Sequence, residues 1–83
     1  MTIRVKVLYF GQARDATGKT SEDISFTEPA SVRDLLEQTE ARHSALGRLK
    51  KSTRIAVNAE LAKEDLRLED GDEVAFLPPV AGG

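Results

Sequence analysis

Apolar and polar positions alternate strictly at the start of the chain: Ile3, Val5, Val7 and Tyr9 fall on one side, Arg4, Lys6, Leu8 and Phe10 on the other. A period of two with β-branched residues predicts a half-buried strand over residues 3–10. Its outward side opens charged and closes apolar at Leu8 and Phe10. Residues 11–19 predict a loop or short turn of helix with Gly11 and Gly18 as breakers. A second strand is expected over about residues 22–27, with Ile24 and Phe26 inward, and two strands joined this way form an antiparallel hairpin. The period then changes. Ser31 is placed to cap a helix, Asp34 stands where a capping-box acid belongs, and Val32, Leu35 and Leu36 follow at i, i+3 and i+4. That helix is expected to fade near residues 41–43, with Leu46 and Leu49 closing the core from a looser segment around Gly47.

Residues 54–58 read as a third strand with Ile55 and Val57 inward, and residues 58–60 as a turn into a short edge segment around Leu61. Glu69, Asp70, Gly71 and Asp72 cluster carboxylates around a glycine. They lack the fuller ligand spacing of a calcium loop, so a tight turn is expected there. Residues 73–77 form the last strand, Val74 and Phe76 inward, Ala75 and Leu77 outward. The apolar stripe of one main helix must cover one face of a mixed sheet of four or five strands, an α+β fold. The first and last strands can lie in parallel at the centre because the helix supplies the crossover. Leu8 and Phe10 then finish at the same end and on the same face as Ala75 and Leu77, a contiguous apolar patch that predicts a docking partner.

Beyond that domain, residues 1–77, come Pro78, Pro79, Val80, Ala81, Gly82 and Gly83. Two prolines cannot continue a sheet and favour an extended arm. Two glycines carry no Cβ, so a terminal carboxylate behind them can enter a channel that any side chain would block. The patch lies at the root of this arm, so the expected partner both docks on the body and receives the tail.

Composition narrows the chemistry. With 83 residues, 40% hydrophobic and 31% charged, the chain makes one ordinary globular domain. No apolar run reaches membrane-spanning length, and the N-terminus lacks a signal peptide's apolar region, so a cytoplasmic location is expected. A net charge of −2 argues against a nucleic-acid partner. The run from Arg48 to Arg54 is read as a solvated loop rather than a phosphate patch. There is no cysteine and one histidine, His43. Thiolate metal sites, cysteine nucleophiles and histidine-rich zinc sites are therefore excluded, and His43 reads as a partly exposed structural residue.

Phe10-Gly-Gln-Ala-Arg14, Ala56-Val57-Asn58 and above all Leu68-Glu-Asp-Gly-Asp-Glu-Val-Ala-Phe-Leu-Pro-Pro-Val-Ala-Gly-Gly83 resemble the small, sulfur-carrying subunits of molybdopterin synthase, the MoaD type of ubiquitin-like protein. The resemblance covers essentially the whole chain and is most specific over its final sixteen residues. It implies a ubiquitin-like β-grasp fold with Gly83 as the functional residue. An E1-like enzyme would adenylate its carboxylate with ATP, and a sulfur donor such as a cysteine desulfurase or rhodanese would convert it to a thiocarboxylate. The tail, inserted into the large synthase subunit, would then give sulfur to cyclic pyranopterin monophosphate. The implied assembly is a heterotetramer of two small and two large subunits, with catalytic groups on the large one and no cofactor bound tightly by this chain. Phe10, Leu77 and Pro78 match family positions that meet the large subunit. Arg14 matches a family arginine, against a plain surface ion pair worth about 0–1 kcal/mol.

Other readings stay open at this point. Carriers of the thiamine-thiazole and cysteine-biosynthesis pathways also end in Gly-Gly on a β-grasp fold. A ubiquitin-like modifier would be joined to targets through Gly83, with Lys6, Lys19, Lys50, Lys51 and Lys63 permitting chains. A plain interaction module with an inert tail is the remaining alternative.

Overall fold

The pairing of the first and last strands decides the sheet. The chain runs β1 (Thr2–Tyr9), α1 (Gly11–Thr17), β2 (Ser21–Thr27), α2 (Val32–Arg42), a 3₁₀ segment (Ser44–Leu49), β3 (Arg54–Val57), β4 (Glu60–Leu61) and β5 (Glu73–Leu77). The computed structural model describes residues 1–49 and 53–77. In it β1 lies parallel to β5, Val7 opposite Val74 and Tyr9 opposite Phe76. Parallel neighbours need a long crossover, and α2 lies within it. The sheet has five strands in the order β2-β1-β5-β3-β4, every other pairing being antiparallel.

The period-two pattern of β1 is realised: Ile3, Val5, Val7 and Tyr9 are each at most 1% exposed. They meet Ile24, Val32, Leu35, Leu46, Val57, Leu68, Val74 and Phe76 in one core between the sheet and α2. Full burial of each such side chain contributes about 1.5–3 kcal/mol. The capping box at α2 is present in both directions: the Asp34 N–H donates to Ser31 Oγ at 3.3 Å, and the Ser31 N–H to Asp34 Oδ2 at 2.8 Å. Deep in the same helix, Thr39 is 1% exposed, and its hydroxyl donates back to the Leu35 carbonyl at 2.9 Å. That bond satisfies a polar group the core would otherwise penalise.

Gly11 (φ 53) and Gly18 (φ 71) bound α1 in the left-handed region that favours glycine, as breakers are expected to, and the segment between them is helical. Two details differ from the sequence reading. Strand β2 starts one residue early, at Ser21. Strand β3 stops at Val57, because Asn58 (φ 51) and Ala59 (φ 72) turn the chain into β4. Alanine is strained in that region, and local bonds hold it there. The Asn58 N–H donates to the Glu73 carbonyl at 2.8 Å, and its side chain bridges the Glu73 N–H and Asp72 Oδ1. The acidic turn before β5 is tight as expected, with Gly71 at φ 88.

Candidate docking face and tail root

The register of the sheet lays out its outer face. Leu8 of β1 stands opposite Ala75 of β5, Ala75 opposite Ala56 of β3, and Ala56 opposite Leu61 of β4. An apolar row thus crosses four strands. Leu8 and Ala75 are half-buried, Ala56 is buried and Leu61 is 62% exposed. One step nearer the end of the sheet, continuation of the β1–β5 register brings Phe10 beside Leu77, which pairs with Arg54. Phe10 is 44% exposed. It is also held, because its carbonyl accepts the first helical bond of α1, from the Ala13 N–H at 3.0 Å. The structure therefore brings Leu8, Phe10, Ala75 and Leu77 together, as the sequence predicts. Residues 78–83, the expected tail with Gly83 at its tip, lie outside the described residues, and so do Lys50 to Ser52.

Two members of the row, Ala56 and Leu61, were not foreseen. The signal for Leu61 was an apolar residue just beyond a two-residue turn, which only the β3–β4 register converts into an outer-face position, and Ala56 lies between the inward Ile55 and Val57. Arg14 sits exposed in the last turn of α1, and its side chain makes no ion pair among the described residues.

Beneath the tail root lies a polar cluster that sequence reasoning missed. The Glu22 side chain is 8% exposed and takes three donors: Tyr9 OH at 2.7 Å, His43 Nε2 at 2.7 Å and Arg42 Nη1 at 3.1 Å. Burial pushes the carboxyl up, but the hydrogen bonds from Tyr9 and His43 and the positive neighbours outweigh it and hold Glu22 below the usual carboxylate range. Burial, then the bond to Glu22, raises the Tyr9 phenol well above its ordinary value. The cluster ties the end of α2 to the β1–β2 hairpin, and the Tyr9 ring packs on Phe76 with centroids 5.3 Å apart. His43 is thus a half-buried structural residue, as expected.

Among the described residues no group of three His, Cys, Asp or Glu side chains is placed to hold a metal ion. An open groove between α2 and the β3–β4 edge is lined by Leu36, Ile55 and Leu61, with Arg33, Lys63 and Glu64 at its rim. Among the described residues it holds one carboxylate–cation contact, Arg33 to Glu64 at 3.3 Å, which is solvent-exposed. No described helix is long and apolar enough to cross a membrane.

A mixed five-stranded sheet curled over one main helix, with the last strand at its centre, defines a ubiquitin-like β-grasp protein. The chain belongs to the ThiS family, whose model matches residues 7–83. The molybdopterin synthase sulfur carrier subunit of Mycobacterium tuberculosis is 39% identical over 82 residues, covering 98% of this chain and 99% of its own. That of Chlamydomonas reinhardtii is 37% identical over 83 residues, covering 98% and 100%. Among solved structures, the putative molybdopterin converting factor subunit 1 of Pyrococcus furiosus has a TM-score of 0.82 at 36% identity, over 94% of this chain and 99% of that one. Small archaeal modifier protein 1 of Methanosarcina acetivorans reaches 0.84 at 27% identity, over 100% and 99%. A chain from the complex of subunits 1 and 2 of the Helicobacter pylori molybdopterin-converting factor reaches 0.70 at 26%, over 98% and 100%.

Proposed function

We propose that this chain is the sulfur carrier of a molybdopterin synthase, acting in the cytoplasm through the carboxylate of Gly83. The observation that carries the reading is the length of the match. The family model runs to residue 83, and relatives named as sulfur carrier subunits align with this chain over nearly all of both. A carboxylate is a poor acyl donor. An E1-like enzyme therefore first joins it to the α-phosphate of ATP, releasing pyrophosphate. The terminal sulfur of a persulfide donor then displaces AMP, and a thiol cleaves the resulting acyl disulfide, leaving the thiocarboxylate and a disulfide. The large subunit receives the arm Pro78–Gly83, and sulfur passes to cyclic pyranopterin monophosphate in the course of dithiolene formation. Acid–base groups come from the partner, since the described residues offer no nucleophile–base pair of their own.

Phe10, Leu8, Ala75 and Leu77 support this reading physically. They put an apolar docking face at the root of the arm, and the Helicobacter pylori relative is solved in a complex with its subunit 2. Arg14 lies beside that face as a further contact for the partner.

Intact mass is the direct test. After incubation with the activating enzyme, ATP and a sulfur source, one oxygen should be exchanged for one sulfur, and an alanine appended after Gly83 should prevent it. Retention of normal cofactor synthesis by the extended, untrimmed chain overturns the reading. The likeness to a small archaeal modifier motivates a second one, conjugation to lysines. Gly83-dependent ladders of larger products would favour it.

A further inference from the structure

Charge is sorted by sign between the two ends of the sheet. At the end from which the chain continues past Leu77, Arg14 in α1, Lys19 before β2, Arg48 in the 3₁₀ segment and Arg54 opposite Leu77 are all exposed. None of the four makes an ion pair among the described residues. Arg42 is already committed to Glu22, and that carboxylate is nine-tenths buried under its three donors. Glu40 is half-buried against Gly47, which leaves Asp15 as the exposed carboxylate among the described residues at this end. The sequence adds Lys50 and Lys51 between Arg48 and Arg54, outside the described residues. At the opposite end stand Glu28, Glu69, Asp70, Asp72 and Glu73 against Arg4, Lys6 and Arg67. A net charge of −2 conceals this polarity.

We propose that the basic collar formed by Arg14, Lys19, Arg48 and Arg54 is a docking element that fits an acidic rim on the protein taking up the tail. The inference rests on the carrier reading above. Folding does not explain the collar, because exposed unpaired cations stabilise little and cations of one sign gathered at one end repel. Charge acts instead on encounter. Fields from unscreened surface charges reach about 8 Å at physiological salt and raise association rates, while residence is set by apolar contacts. Arg14 lies one turn beyond Phe10 in α1 and Arg54 stands opposite Leu77, so steering charge sits beside the apolar face that sets residence. A carrier that is loaded by one protein and emptied by another needs fast capture and ready release, which this division supplies. A nucleic acid is a poorer occupant, since the carboxylates elsewhere on the surface repel a phosphate backbone.

The test is stopped-flow association with the isolated large synthase subunit, from about 20 to about 500 mM salt. The variants are Arg48→Glu/Arg54→Glu, its neutral counterpart Arg48→Gln/Arg54→Gln, and Glu69→Lys at the far end, each checked for native circular dichroism. The reversed variant should associate at least about tenfold more slowly at low salt, with a flattened or inverted salt slope and a dissociation rate within about twofold. The neutral variant should fall between, and Glu69→Lys should leave the rate within about twofold. An unchanged or faster rate for the reversed variant overturns the collar alone. Failure of the unaltered chain to bind the large subunit overturns the carrier reading and the collar with it. Tight binding of a mixed-sequence duplex oligonucleotide at physiological salt, lost in the reversed variant, also overturns the acidic-protein assignment.

Discussion

The two ends of the sheet carry similar numbers of charged residues and use them in opposite ways. At the acidic end, side chains close the fold on itself. Asp70 accepts the Arg4 N–H at 2.8 Å, Asp72 accepts the Glu69 N–H at 2.7 Å, and Asn58 ties the β3–β4 turn to the start of β5. At the other end, one carboxylate, Glu22, is locked in a network, while Phe10 and four cations, Arg14, Lys19, Arg48 and Arg54, are exposed, the cations without an ion pair among the described residues. Groups that satisfy backbone donors are there for stability. Groups held in place yet left unsatisfied point to something outside the chain.

That contrast predicts separable effects. The largest belongs to the apolar face: Phe10→Asp/Leu77→Asp should weaken binding to the large subunit at least about hundredfold while leaving the circular dichroism spectrum native, as removal of hot-spot contacts does. Calorimetric titration checks it, and unchanged affinity would break the comparison at its functional end. Next comes the pin beneath that face. Glu22→Ala strands three donors and should cost about 2–4 kcal/mol in denaturant unfolding.

Glu22 also makes stability depend on pH, in a calculable direction. Its folded value lies below its unfolded value, so the contribution is fully present above the ordinary glutamate value, about 4.3, and is lost as pH falls through the folded value. The stability gap between the native chain and Glu22→Gln should therefore narrow as pH falls below about 4. A gap that fails to narrow below about 4 would refute the assignment. At the acidic end, Asp72→Ala should cost about 1–2 kcal/mol and leave partner binding within about twofold. Smallest of all, Arg14→Ala alone should change affinity no more than about fivefold, the range of one exposed charge.

Local rules made much of the fold legible. The alternation of Ile3 to Tyr9, the Ser31–Asp34 capping box and the placing of α2 in the crossover each follow from a short window and a geometric constraint, and together they imply the β1–β5 pairing. The Leu8, Phe10, Ala75 and Leu77 patch followed from the same pairing. What escaped needed contacts between distant residues. Glu22 meets Tyr9 across thirteen positions and His43 across twenty-one, and nothing in a window around any one of them marks the others. Ala59 at φ 72 escaped because alanine carries no turn signal, and the bonds that hold it come from Asn58, Asp72 and Glu73. The place of Leu61 in the outer row depends on that turn, so it escaped too.

The central position of β5 has a mechanical consequence. A force drawing residue 78 outward acts along a strand bonded on one side to β1 and on the other to β3. Such a load shears two ladders at once instead of unzipping a single edge, so many bonds resist together. A body built this way tolerates having its end threaded into a tight passage and withdrawn again without unravelling.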